Sequence, residues 1–188
     1  MKEIVFAGFG GQGVLTSGLV ISQIAVNKGH NATWMPSYGS AMRGGTANCT
    51  VKYGPETIYN PSQEEPDILL AMNNPSFKGF IGQVIPGGVV VVNSDTVTCD
   101  VHTREDVRVI SIPCSTLAQK IGNERGANII MAGVIARITG DFSEQEAIES
   151  MHAMFREKGK NRYEQKNEEA FRLGFRFVEG GTDVDSCD

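Results

Sequence analysis

The sequence predicts a three-layer α/β domain with a mostly parallel, mixed sheet and a helical C-terminal third. Three observations carry that prediction. Short apolar runs rich in Val, Ile and Leu recur at Ile4–Ala7, Asp67–Met72, Gly88–Asn93 and Val107–Ile112, the pattern of strands buried on both faces. Segments of helical period separate several of them, which calls for crossover connections rather than hairpins alone. From Ala127 onward the apolar spacing is helical throughout.

Taken in order, Ile4–Ala7 reads as the first buried strand. Gln12–Asn27 follows with Val14, Leu15, Leu19, Ile21, Ile24 and Ala25 near helical spacing, and Lys28-Gly29 supplies a cation and a C-cap glycine. Thr33–Met35 reads as a strand stopped by Pro36, and the segment from Pro36 to Cys49 as an extended loop. Thr46–Tyr53 alternates β-branched residues and closes on Gly54-Pro55, with Thr57–Tyr59 a candidate hairpin partner. Phe77, Phe80, Ile81 and Val84 suggest a helix between two strands. Asn73-Asn74-Pro75 stands at a strand's carboxyl end, where open α/β sheets bind ligands, although a turn with a Ser76 helix cap explains it equally. Ala127–Ile138 is apolar nearly all round, as a buried helix is. Ser143 and Glu146 form an S-x-x-E capping box, and Glu168–Val178 puts Phe171, Phe175 and Val178 on one stripe. Residues 1–180 are expected to form one domain, and 181–188 a disordered tail.

Composition narrows the function. The chain has 188 residues, a net charge of −5 and no apolar run long enough to span a membrane; its N-terminus carries no secretory pattern. A cytoplasmic protein that binds neither nucleic acid nor membrane is expected. Cys49, Cys99, Cys114 and Cys187 have no CxxC spacing, and His30, His102 and His152 form no HxxH pattern. No metal site, iron–sulfur cluster or P-loop is therefore expected, nor any catalytic acid, base or nucleophile. Glycine is the unusual residue, at 22 in the chain against an average of about 7%.

Gly8, Gly10 and Gly13, with Gly11 between them, satisfy the G-x-G-x-x-G spacing of a phosphate-binding turn at a helix start. An NAD site also needs an acid about 20 residues later to hold the ribose. None exists: Ile4–Pro55 contains no Asp or Glu, while Lys28, Arg43 and Lys52 give it a local charge of about +3. That charge suits a phosphate-bearing ligand or an acidic partner surface; burial of a Gly-rich half against other protein explains the missing acids as well.

Two stretches together, FAGFGGQGVLTSG and PSYGSAMRGGTANCTV, resemble the γ subunit of 2-oxoacid:ferredoxin oxidoreductases, as do NIIMAG at Asn128–Gly133 and NEEAFRLGF at Asn167–Phe175. The resemblance covers nearly the whole chain and implies a Rossmann-like fold that need not hold a dinucleotide. It implies a complex with α, β and ferredoxin-like δ subunits that oxidatively decarboxylates a 2-oxoacid with coenzyme A and reduces ferredoxin. Thiamine diphosphate, Mg2+ and the iron–sulfur clusters would then sit on other subunits, with none firmly bound by this chain. The same resemblance implies that Gly8, Gly10, Gly11, Gln12, Gly13, Ser37, Tyr38, Arg43, Gly44 and Gly45 touch either coenzyme A, another phosphate or a neighbouring subunit. The family often places a glutamate before the Arg-Gly-Gly, whereas Ser40-Ala41-Met42 has none. A different reading is a stand-alone nucleotide-dependent oxidoreductase, or a nucleotide-binding module, using the Gly8–Gly13 loop.

Overall fold

Strand β1 (Lys2–Phe9) is buried at every position from Glu3 to Gly8, as its apolar run requires. A computed structural model describes it together with the rest of residues 1–38, 45–159 and 161–180. Helix α1 (Val14–Asn27) follows and ends in a Schellman turn. There the Gly29 N–H reaches the Val26 carbonyl and the His30 N–H the Ala25 carbonyl, with Gly29 at φ 90°. Strands β2 (Asn31–Tyr38), β3 (Thr46–Gly54), β4 (Ile68–Ala71), β5 (Val89–Asn93) and β6 (Arg108–Ile112) complete a six-stranded sheet in the order β2-β3-β1-β4-β5-β6.

β1, β4, β5 and β6 run parallel, and β3 is antiparallel to both its neighbours. Alternation along β1 divides the core. Ile4 and Phe6 pack with α1, α3 (Cys114–Lys120), α4 (Ala127–Thr139), α5 (Glu144–Glu157) and α6 (Glu164–Gly180). Val5 and Ala7 pack on the other face with Phe77 of α2 (Asn74–Phe80), Val84, Val97 and Val107. The expected three-layer α/β arrangement is present, with its helices unequally shared.

Some expectations need correction. Pro36 does not stop a strand: β2 runs through it to Tyr38. As an edge strand bonded only to β3, β2 tolerates a residue that lacks an outward-facing N–H. The extended loop therefore gives up Pro36–Tyr38 to β2 and Thr46–Cys49 to β3. Thr57–Tyr59 forms no strand, because β3 already has β1 and β2 as partners. α2 is capped by Asn73, whose side chain accepts from the Ser76 N–H. α3 escapes detection because seven residues show too little period, and α6 starts before Glu168 because its first turn, Glu164–Asn167, is polar. The expected tail at 181–188 lies outside the described residues.

α4 and α6 meet through glycine. A Cβ built on Gly174 would stand 1.8 Å from the Ile130 carbonyl oxygen, and one on Gly133 would stand 2.2 Å from that of Phe171. Both obstacles are backbone, so the helices cannot yield without separating. Gly174→Ala should cost about 3 kcal/mol or prevent folding, whereas Gly79→Ala on open α2 surface should be neutral or stabilising by up to about 1 kcal/mol. Urea unfolding of both variants checks this; equal stability would contradict the glycine contact.

The capping box forms as expected: Ser143 accepts from the Glu146 N–H, and the Glu146 carboxylate accepts from the Ser143 N–H. Lys28, 2.6 Å away, and then the Ser143 backbone and hydroxyl hold the Glu146 carboxyl down at about 2, below its ordinary 4.5. A lowered folded-state value gives stability that is complete above the ordinary value and lost as pH falls toward the folded one. Glu146→Gln should flatten the stability curve between pH about 4.5 and 2 in acid titrations followed by circular dichroism. An acid limb identical to that of the parent chain would contradict it.

Candidate functional site: the glycine-rich edge of the sheet

The glycine-rich turn lies where β1 gives way to α1, at the carboxyl end of the parallel strands. Gly13 opens α1 at φ 76°, a left-handed conformation that suits glycine, and its carbonyl accepts from the Thr16 and Ser17 N–H groups. A Cβ there would meet Asn128 at 2.6 Å. At Gly8 a Cβ would fall 2.7 Å from Val14 Cγ1 and 3.2 Å from Met72 Cβ. Both positions therefore have internal reasons to be glycine.

Gln12 organises this end of the sheet. Its Oε1 accepts from the Phe9 N–H at 2.7 Å and from Asn73 Nδ2 at 2.8 Å, while Nε2 donates to the Met72 carbonyl at 3.0 Å. One amide thus ties the end of β1 to the residues after β4. The sequence flagged Gln12 and Asn73 separately but not their contact. It missed Asn128, the first-turn residue of α4 whose Nδ2 donates to the Gly13 carbonyl at 3.3 Å and whose own carbonyl accepts from Ser17 Oγ at 2.8 Å. Only its place in the NIIMAG stretch pointed to it.

The fold also brings the two motif loops together. Gly10 donates its N–H to the Gly45 carbonyl at 3.0 Å, and the register pairs Gly8 with Ala47 and Phe9 with Thr46. Ser37, exposed, pairs with Asn48, and Tyr38 with Ala47, so the end of β2 lies at the same sheet edge. Arg43 and Gly44 lie outside the described residues.

The +3 charge of the acid-free stretch is largely neutralised by acids from elsewhere. Lys28 pairs with Glu146, and Lys52, buried to 3% exposure, pairs with Glu3 at 3.2 Å and with Glu64. Burial opposes the charge on Lys52, but Glu64 and Glu3 outweigh it and raise its pKa. Among the described residues no group of three or more His, Cys, Asp or Glu side chains is placed to hold a metal. Burial pushes the thiols of Cys49 and Cys114 up to about 12, so neither is an activated nucleophile.

The sheet order bears directly on the dinucleotide reading. A ribose-binding acid belongs at the end of the parallel strand beside β1. Here β3 occupies that place and pushes β2 a further strand away, about 4.8 Å. The end of β2 carries Ser37 and Tyr38 rather than an acid. Fold and edge together define an α/β domain that keeps the glycine turn but not the parallel strand beside β1 on which a dinucleotide's ribose depends.

The chain belongs to the pyruvate ferredoxin/flavodoxin oxidoreductase family, whose description matches residues 3–177. Ketoisovalerate oxidoreductase subunit VorA of Methanothermobacter marburgensis is 41% identical over 133 residues, 71% of this chain. The chain spans only 27% of that relative's length. 2-Oxoglutarate synthase subunit KorC of Methanocaldococcus jannaschii is 33% identical over 178 residues, covering 93% of this chain and 92% of the relative. The crystal structure of a keto/oxoacid ferredoxin oxidoreductase γ subunit from Geobacter sulfurreducens superposes with a TM-score of 0.81 at 26% identity. That match covers 96% of this chain and 100% of the other.

Gln12 gives the site its test. Gln12→Glu replaces the donor facing the Met72 carbonyl with a carboxylate and should cost about 2–3 kcal/mol, with Gln12→Ala costing somewhat less. Chemical denaturation measures both. A stable Gln12→Glu chain would show that the amide does not hold the loop.

Proposed function

We propose that the chain is the γ subunit of a multi-subunit 2-oxoacid:ferredoxin oxidoreductase. The assembled enzyme oxidatively decarboxylates a 2-oxoacid to an acyl-CoA and CO2 and passes the electrons to ferredoxin. The observation that carries this reading is the junction of the two glycine loops, Gly10 on Gly45, within a chain whose family membership spans nearly its whole length. The α, β and ferredoxin-like δ subunits are its partners.

The division of labour follows the family resemblance, and on that ground we assign thiamine diphosphate, Mg2+ and the iron–sulfur clusters to the other subunits. Thiamine supplies the carbanion chemistry, and proteins around such a cofactor contribute orientation and electrostatics. This chain contributes a wall made of Gly8, Gly10, Gly11, Gln12 and Gly13 from the turn, with Ser37, Tyr38, Arg43, Gly44 and Gly45. α1 starts with no side-chain cap and no acid in its first turn. No side chain of the helix itself therefore competes with a phosphate of coenzyme A for its first N–H groups. Arg43 would be the cationic contact to that phosphate.

The test is reconstitution with the subunits encoded beside this chain, read as ferredoxin or viologen reduction with coenzyme A and a panel of 2-oxoacids. The complete set should turn over one 2-oxoacid class, the isolated chain should not, and Arg43→Gln should raise the KM for coenzyme A about tenfold or more with a smaller effect on kcat. Failure of the chain to associate with those subunits would overturn the proposal. An unchanged KM would remove Arg43 from the coenzyme site.

A further inference from the structure

Beyond the glycine-rich edge, the molecule carries a second feature that the function above leaves unused. An open groove of about 770 Å³ lies between the first turn of α1, the α3–α4 connection, the end of α5 and the start of α6. Its floor is apolar, with Phe155 and Ile129 nearly buried. Amides line its walls: Gln119, Asn123, Asn128 and Asn167. The walls are fastened to each other, since Asn123 Nδ2 donates to the Lys166 carbonyl at 3.1 Å and Lys166 Nζ to the Gly122 carbonyl at 3.0 Å. The groove is therefore formed before anything enters it.

Its charge is the informative part. Arg125 from the α3–α4 connection and Arg162 and Lys166 from the stretch that opens α6 line the groove, against a single acid, Glu124. Among the described residues none of these three cations has a carboxylate partner; Arg162 instead lies over the Tyr163 ring, 4.7 Å from its centroid. Elsewhere on the same helical layer Lys28, Arg156, Arg172 and Arg176 are paired with glutamates, while Lys120 and Lys158, which do not line the groove, have no carboxylate partner among the described residues. A protein of net charge −5 that leaves three cations unpaired along one groove presents a local positive potential to an incoming acidic surface.

We infer that this groove receives an acidic polypeptide segment from another subunit of the assembly. The inference rests on the subunit role proposed above. Charge complementarity selects an acidic occupant. Asn123 and Asn128 each already donate one N–H within the chain; their remaining amide positions, with those of Gln119 and Asn167, can pair with a peptide backbone. The length of the VorA relative agrees, because a region similar to this chain makes up about a quarter of that polypeptide and is covalently joined to further protein. A segment of Asp and Glu residues laid along the groove would pair with Arg125, Arg162 and Lys166 and cover Phe155.

The experiment uses the full chain and the separately purified other subunits, with binding measured by surface plasmon resonance at several salt concentrations. The variant Arg125→Glu/Arg162→Glu alters exposed side chains that bond no carboxylate of their own, and thermal melting checks that it folds; Arg125→Gln/Arg162→Gln replaces it if it does not. The parent chain should bind, and the variant should bind at least tenfold more weakly with a shallower salt dependence. Equal affinity and equal salt slope would overturn the groove while leaving the subunit role intact. A parent chain that binds no other subunit would overturn the subunit role and the groove's occupant with it. A parallel titration with pyrophosphate and ADP separates the remaining occupant. Micromolar binding that the variant loses, with assembly unaffected, would make the groove a small-anion site and overturn the inference.

Discussion

One antiparallel strand governs this molecule. β3 inserts between β1 and β2, and the consequences spread from its register. Its amino end meets the glycine turn, so the loop that leads into β3 must approach the loop that leaves β1, and the Gly10–Gly45 hydrogen bond joins them. α1 then has to lie against β3 rather than against an adjacent parallel strand. The contact is close enough that a Cβ on Gly18 would fall 2.4 Å from Cys49 Sγ. Cys49 is fully buried there, and its thiol faces the Val14 carbonyl at 3.7 Å. The same insertion removes the neighbouring strand end on which a dinucleotide's ribose would depend.

A second theme is how the chain spends its charge. Lys52 is buried because Glu3 and Glu64 accompany it, and the trio ties β3 and β1 to the segment before β4. A lone buried lysine would be costly; a lysine held by two carboxylates is tolerated and fixes their relative position. The pairs Arg172–Glu144 and Arg176–Glu144 likewise connect α6 to the start of α5. By contrast, Arg125, Arg162 and Lys166 of the α1–α4–α6 groove meet no carboxylate among the described residues.

Much of the fold was legible in the sequence, for identifiable reasons. Buried strands such as Val89–Asn93 and the nearly all-apolar α4 declare themselves by composition, and the capping box at Ser143 by local chemistry. The sequence could not give the sheet order, since nothing local says that the second strand of an α/β chain will be displaced by a returning third. Pro36 misleads because its effect depends on whether its strand is central or at an edge, a tertiary fact. The site was half legible in the same sense. The two glycine loops could be paired by resemblance, and the acid-free stretch is plain to see. That stretch reads as a positive field only until Glu146, Glu3 and Glu64 are placed beside its lysines. Contacts across long separations, such as Gln12 with Met72 and Asn73 or Asn128 with Gly13, leave no periodic trace.

The glycine turn is kept, while β3 takes the place of the parallel strand beside β1 on which a dinucleotide's ribose depends. Isothermal titration calorimetry of the full chain with NADH, NADPH and FAD tests this most directly. No saturable heat is expected with any of the three up to millimolar concentration. A dinucleotide bound with a micromolar Kd, and lost on substitution of Gly13, would contradict it.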